Sequence, residues 1–249
     1  MNKLLSEFAR ENFMVFFCVL FLLASGCVHH SSKNKTPKSS IQIDSLDQGK
    51  IVAEQAWKLE FSEDFSGVDV GAEPENIFIL DGEYTVQKER DDNKCLTLPG
   101  TPMGDFGLLF GPREREKPLE LNFAFFATKK GRRMPSIAAS IGGVRGYRLR
   151  LNPAARNIVV SMHETVLKQL SFVWEGDQWW RIRFQVIPVA TKEATRLQFK
   201  LWPKAQNEPK EWVLCEEFDI EYTGGKCALW GFPYSSTPIL FDDIAVLSN

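Results

Sequence analysis

Glu217-Phe218-Asp219-Ile220-Glu221 is the stretch of this chain in which side chains of one chemistry recur at a fixed spacing. In an extended strand successive side chains point to opposite faces, so Glu217, Asp219 and Glu221 share one face while Phe218, Ile220 and Tyr222 take the other. Crowded carboxylates raise one another's pKa and so separate a proton donor from an acceptor, as glycosidic-bond cleavage requires. Strand geometry pulls against this. Residues four apart stand about 13 Å apart at Cα, whereas a retaining pair of carboxyls works at about 5.5 Å, so the strand must bulge or the side chains lean together. The competing reading is a solvated acidic strand paired with a basic neighbour.

Basic and aromatic residues form the second set. Arg148, Arg150, Arg181 and Arg183 occupy the polar phase of their strands, and Trp179 and Trp202 do so too. Aromatic faces stack on sugar rings and guanidinium groups bond hydroxyls, so the set suits a glycan groove. The alternative places the tryptophans at a sheet edge or under a loop. His163 is the single histidine after residue 30, which leaves no multi-histidine metal centre there, and Met162-His163-Glu164 reads as a polar hairpin end. Cys95, Cys215 and Cys227 make an odd count and hence no disulfide framework. A hairpin turning at Gly224-Gly225 sets Cys215 opposite Tyr234, away from Cys227.

Strands must position these residues. Trp57, Leu59 and Phe61 alternate with polar residues, as do Leu119, Leu121, Phe123 and Phe125, then Tyr147, Leu149 and Leu151. Trp180 to Val186 and Leu197 to Leu201 repeat the pattern, with Asp81-Gly82, Pro99-Gly100, Gly142-Gly143, Asn152-Pro153 and Glu175-Gly176-Asp177 as turns between runs. Roughly a dozen such strands in residues 51–249 predict an all-β fold, a two-sheet antiparallel sandwich. The composition, 44% hydrophobic and 25% charged, suits a soluble globule. A net charge of -2 gives no basic field for nucleic acid, and no glycine loop is built to cradle a nucleotide's phosphates.

The N-terminal part reads separately. The apolar run Phe13 to Leu23 is eleven residues long, about 16 Å as a helix and too short for a bilayer core of about 30 Å. It ends in Leu23-Ala24-Ser25-Gly26-Cys27, which resembles the lipobox of bacterial lipoproteins. The resemblance implies a signal peptide over residues 1–26, acylation of Cys27, and attachment of the exported protein to the cell envelope, at the outer membrane. Residues 27–50 are polar and read as a tether, with His29-His30 as solvated linker residues.

The order of motifs in residues 51–249 adds a second resemblance. Phe61-Ser62-Glu63-Asp64-Phe65 opens the domain, Trp179-Trp180-Arg181-Ile182-Arg183 and Lys200-Leu201-Trp202-Pro203 follow, and Phe241-Asp242-Asp243-Ile244 closes it. This is similar to the concanavalin A-like lectin/glucanase superfamily, above all its laminin G-like and 3-keto-disaccharide hydrolase-like branches. The resemblance implies a jelly-roll sandwich able to bind saccharides, with Asp64 and Asp243 as the ligands of a structural Ca2+. The acidic stretch is similar to the Glu-x-Asp-x-Glu signature of laminarinase-type hydrolases. That match implies Glu217 as nucleophile, Asp219 as its orienter and Glu221 as acid/base, but here only 28 residues follow Glu221, whereas the signature lies mid-domain in those enzymes. The expectation is a lipid-anchored module that binds a glycan or an envelope partner without catalysis. A retaining glycosidase or 3-keto-glycoside hydrolase is the alternative, and a purely structural envelope protein is a third reading.

Overall fold

The computed structural model of the protein describes residues 56–89 and 92–249; Cys27, His29, His30 and the whole segment 1–50 lie outside the described residues. The predicted alternation becomes two antiparallel sheets. In the first, β6 (Leu119–Ala127) turns Leu121, Phe123 and Phe125 inward, and β11 (Trp179–Pro188) turns Trp180, Ile182, Phe184 and Val186 the same way. The register sets Ile182 beside Phe123 on one side and beside Leu201 of β12 (Thr195–Pro203) on the other, so like phases meet across three strands. Outside β12 lies the edge strand β13 (Leu214–Phe218), and beyond β6 come β15 (Ile239–Ser248), β4 (Lys94–Leu98) and β3 (Thr85–Lys88). β1 (Lys58–Glu63) also pairs with β15, making eight strands among the described residues.

The second sheet has seven strands among the described residues, in the order β10 (Thr165–Ser171), β9 (Asn157–Met162), β8 (Tyr147–Asn152), β7 (Ser136–Ile141), β14 (Gly225–Phe232), β5 (Phe106–Glu114) and β2 (Phe78–Ile79). Tyr147, Leu149 and Leu151 of β8 face inward, and their register partners Ile141, Ala139 and Ile137 share that face. The inward sets of both sheets merge into one core in which Phe123, Phe125, Phe184, Phe199 and Phe241 are almost fully buried. Burying each such side chain stabilises the fold by about 1.5–3 kcal/mol. All regular elements of the described residues are strands, which establishes the all-β sandwich.

Two local features depart from the pattern read in the sequence, and a third, the hairpin end at Met162-His163-Glu164, follows it. The predicted hairpin at Gly224-Gly225 is a crossing between sheets, because β13 pairs with β12 while β14 pairs with β5 and β7. Gly224 has φ +75, and a Cβ there would stand 2.4 Å from Arg115 Cα, so the crossing chain requires glycine. As a result Cys215 is exposed on one sheet while Cys227 is buried in the other, and both are free. Burial pushes the Cys227 thiol up to about 12, which leaves it protonated and inert. Second, β15 bulges between Asp242 and Ala245 against β6, and Asp243 adopts φ 50. A bulge re-aims side chains, and here two consecutive aspartates both reach the outer face. Third, His163 and Glu164 form a two-residue hairpin loop between β9 and β10, both at positive φ, the geometry that matches strand twist.

Lys168 of β10 and Glu216 of β13 join the edges of the two sheets at 2.6 Å. A second tie is neutral. The Tyr147 hydroxyl, from the seven-stranded sheet, donates to the Ile220 carbonyl at 2.9 Å, and the Thr195 hydroxyl, from the eight-stranded sheet, donates to the same oxygen at 2.7 Å. With one donor removed the carbonyl keeps the other. Tyr147→Phe and Thr195→Val are therefore each expected to cost about 0.5–1.5 kcal/mol, and the double variant more than their sum, because only then is the carbonyl left unmatched. Urea denaturation of the four proteins of the cycle checks this; strict additivity speaks against the shared acceptor.

Candidate functional site

Each sheet has an outer face, and the two are chemically different. On the eight-stranded sheet, alternation sends Trp179, Arg181 and Arg183 of β11 outward, next to Glu120 and Asn122 of β6 and Lys200 and Trp202 of β12. The cations here have carboxylate partners. Arg181 meets Asp243 at 2.7 Å, Lys204 meets Asp243 at 2.9 Å, Arg183 meets Glu208 at 3.0 Å and Glu120 at 3.5 Å, and Lys200 meets Glu208 at 3.1 Å. The Trp179 indole donates to Glu89 at 3.1 Å, abuts Phe126 edge-on and carries Lys204 over its ring, while Trp202 is only 8% exposed. A cleft of about 220 Å³ among Arg181, Arg183, Trp202 and Asp243 is thus walled largely by charged groups that are ion-paired, although Arg183 Nε is buried without a hydrogen-bond partner.

The acidic stretch does not form a continuous carboxylate row on a strand. β13 ends at Phe218, which leaves Asp219 and Glu221 beyond the strand and exposed. Glu217 faces Arg196 across the β12–β13 pair; one of its oxygens accepts from Arg196 at 2.8 Å and the other meets Lys192 at 2.9 Å. Asp219 reaches only Lys192, at 3.9 Å. Hydrogen bonds from Arg196 and then Lys192 hold the Glu217 carboxyl below the usual glutamate range. Such a group is a fixed anion with both oxygens engaged, the arrangement of a basic strand beside an acidic edge.

The ends of the domain do not fit a calcium centre. Asp64 closes a turn by accepting from the Ser66 amide and hydroxyl, and Asp243 is held by Arg181 and Lys204. Calcium takes about six to eight oxygen ligands, and among the described residues no three His, Cys, Asp or Glu side chains converge as a cation site.

The seven-stranded sheet presents a different outer face. Ala228, Trp230 and Phe232 of β14 point outward beside Ala138 of β7 and Leu109 of β5, forming an apolar cluster separate from the main core. Gly107 lies opposite Trp230, and a Cβ there would stand 2.6 Å from the indole Nε1, so the ring rests where glycine leaves room. Arg148 lies over the Trp230 ring at 4.3 Å and Arg150 over the Phe232 ring at 3.9 Å. No hydrogen bond or ion pair reaches either guanidinium among the described residues, and both Nε atoms are buried without an acceptor. Burial, and then the charge of Arg150, lower the Arg148 pKa. A cleft of about 350 Å³ opens beside Arg148, lined also by Arg145, Ser161, His163 and Glu164.

The six basic and aromatic residues singled out in the sequence are therefore divided. Trp179, Arg181, Arg183 and Trp202 lie on one outer face, Arg148 and Arg150 on the other. Trp230 and Phe232, which carry the arginines, escape a reading by alternation because Cys227 to Phe232 is apolar at every position. The signal in hindsight is a sandwich strand without a polar phase, whose outward residues must be covered by something.

No family model and no curated protein matches the chain. Solved structures do. The metal-free carbohydrate recognition domain of Emp46p aligns with a TM-score of 0.55 at 9% identity, over 77% of this chain and 97% of that one. Lectin II from Ulex europaeus aligns at 0.52 and 8% identity, over 77% of this chain and 100% of its own. The lectin UEA-II complexed with galactose gives 0.51 and 9%, with the same shares. At such identities the likeness is one of fold: the protein has the concanavalin A-like lectin sandwich.

The Glu217 geometry yields a titration test. A carboxyl whose folded pKa is depressed adds stability that is full above its unfolded pKa and is lost as pH falls through the folded value. Side-chain NMR of the purified chain is expected to place the Glu217 midpoint below the ordinary glutamate range, and Lys192→Ala or Arg196→Ala to move it upward. A midpoint at or above that range in the parent protein would speak against the two ion pairs at Glu217.

Proposed function

We propose that the sandwich is a saccharide-binding module that performs no chemistry on its ligand, and that it binds on the outer face of the seven-stranded sheet. The observation that carries this reading is the pair of unpartnered guanidiniums, Arg148 and Arg150, over the rings of Trp230 and Phe232, with an open cleft beside Arg148. With each Nε shut in on the protein side, the terminal N–H groups of these half-buried side chains are the donors left for a ligand. The carbohydrate class is supported by the sandwich shared with a carbohydrate recognition domain and with lectins. The non-catalytic part is supported by the Glu217 ion pairs and by the placement of Asp219 and Glu221 outside the strand.

The lipobox-like Leu23 to Cys27 supports the rest of the proposal: acylation at Cys27 and a post at the bacterial outer membrane, with the polar segment 27–50 as tether. The closing Phe241-Asp242-Asp243-Ile244 strand supports kinship with the laminin G-like branch of the fold.

Electrophoresis of the purified chain through native gels containing neutral and acidic polysaccharides tests the module. Retardation without clearing of the polysaccharide stain is expected, unchanged by Glu217→Gln, Glu221→Gln or Trp179→Ala. Ser161→Trp, which fills the cleft beside Arg148, is expected to weaken binding by at least ~10-fold, about 1.4 kcal/mol. Clearing that disappears in Glu217→Gln would make the protein a hydrolase, and no retardation across the panel would remove the saccharide reading. Fatty-acid labelling that is lost in Cys27→Ser is the expected result for the anchor.

A further inference from the structure

We propose that Arg148 and Arg150 form a carboxylate receptor, and that the saccharide held on this face is acidic, a chain bearing uronate groups. This inference rests on the saccharide reading above and specifies its ligand class.

The register shows why the pair lacks counter-charge. On β8, Arg148 stands between Ser140 of β7 and Ser161 of β9, and Arg150 between Ala138 and Val159. Every flanking position on the two neighbouring strands is uncharged. The contrast with the other sheet is direct, since Arg181, Arg183 and Arg196 each have a carboxylate within 3.0 Å. Asp105 and Glu164 are the acidic groups whose fields reach Arg148, and neither makes an ion pair with it.

The rings beneath the guanidiniums restrict their orientation. Each Nε is shut off from solvent on the protein side without an acceptor, so the ligand-facing capacity of these half-buried residues resides in their terminal N–H groups. A guanidinium presents a planar fork that matches a carboxylate in two parallel hydrogen bonds, and stacking on an aromatic face leaves that fork free. Two like charges of this kind on one face, partly desolvated, disfavour each other until an anion arrives. A carboxylate bound between them or at either one relieves that repulsion. The adjoining cleft supplies Ser161, His163 and Glu164 for the hydroxyls of the same or the next sugar unit.

The test is calorimetry of the full chain with oligogalacturonate, alginate and hyaluronan fragments, each compared with its methyl ester, which keeps the ring and removes the charge. Dextran sulfate against dextran, and inorganic phosphate, separate a carboxylate from other anions. The expected result is binding of at least one uronate chain, with its methyl ester about 10-fold weaker or more and affinity falling as salt rises. Arg148→Gln and Arg150→Gln should each lose about 10-fold, and the lysine variants recover only part, because a point charge lacks the fork. The parent protein's acid-against-ester comparison needs no variant and holds even if a substitution impairs folding. Equal binding of acid and ester would overturn the inference while leaving a neutral-saccharide module in place. Preference for dextran sulfate or phosphate over every uronate would overturn the carboxylate assignment. Failure to bind any acidic or neutral chain would overturn this inference and the saccharide reading together.

Discussion

The two-residue period of the strand is the constraint on which the rest of this structure depends. A core between two sheets takes one residue in two from each strand, and the other residue in each pair is released from any packing duty in that core. β11 shows the division plainly: Trp180, Ile182, Phe184 and Val186 fill the interior, and Trp179, Arg181, Arg183 and Gln185 are free to be anything the outer face requires. The two sheets answer that freedom in opposite ways. The eight-stranded sheet fills its outer face with matched ion pairs. Exposed pairs of this kind contribute little stability individually, and Lys204 also covers the Trp179 ring. The seven-stranded sheet instead places a second, smaller apolar layer outside the strands and lays unmatched arginines on it.

That constraint also decides what was legible in the sequence. Wherever one phase was apolar and the other polar, as in β6, β8, β11 and β12, strand, phase and inward set could all be read directly. β14 could not be read this way, because Ala228, Trp230 and Phe232 make its outer phase apolar as well. Alternation assigns a side chain to a face but says nothing of which sheet the face belongs to. For that reason Arg148 and Arg181 looked equivalent in sequence while they lie on opposite sides of the molecule. Gly224-Gly225 shows the same limit: two glycines announce a change of direction, and only pairing partners distinguish a hairpin from a crossing between sheets.

Carboxylates show how context outweighs spacing. Glu217, Asp219 and Glu221 alternate as a strand should, yet β13 is an edge strand and its pairing stops at Phe218. Glu217 alone is fixed by the ladder, opposite Arg196, and that partner sets its charge state. Asp242 and Asp243 are adjacent in sequence and should point to opposite faces, but the bulge in β15 brings both to the outer face. There Asn93 donates to Asp242 while Arg181 and Lys204 neutralise Asp243. Burial still leaves the Asp242 pKa raised, so this pair is a site of local tension contained by its neighbours.

A net charge of -2 conceals the feature that matters, because an overall balance is compatible with a strongly unbalanced face. Replacing Arg148 and Arg150 by polar uncharged residues would remove mutual repulsion and unsatisfied Nε groups, so folding alone gives little reason to keep both. The stacking energy on Trp230 and Phe232, about 0.5–2 kcal/mol per contact, offsets part of that cost but does not supply hydrogen-bond acceptors. Where every level of a structure agrees except one, the exception points to function. Trp174 Nε1 and Arg183 Nε are also buried without a hydrogen-bond partner, but Arg183 is ion-paired, whereas Arg148 and Arg150 lie over aromatic rings of an outer face with no carboxylate partner among the described residues. Their Nε atoms stay shut in on the protein side, while their terminal N–H groups remain open to an acceptor from outside the chain.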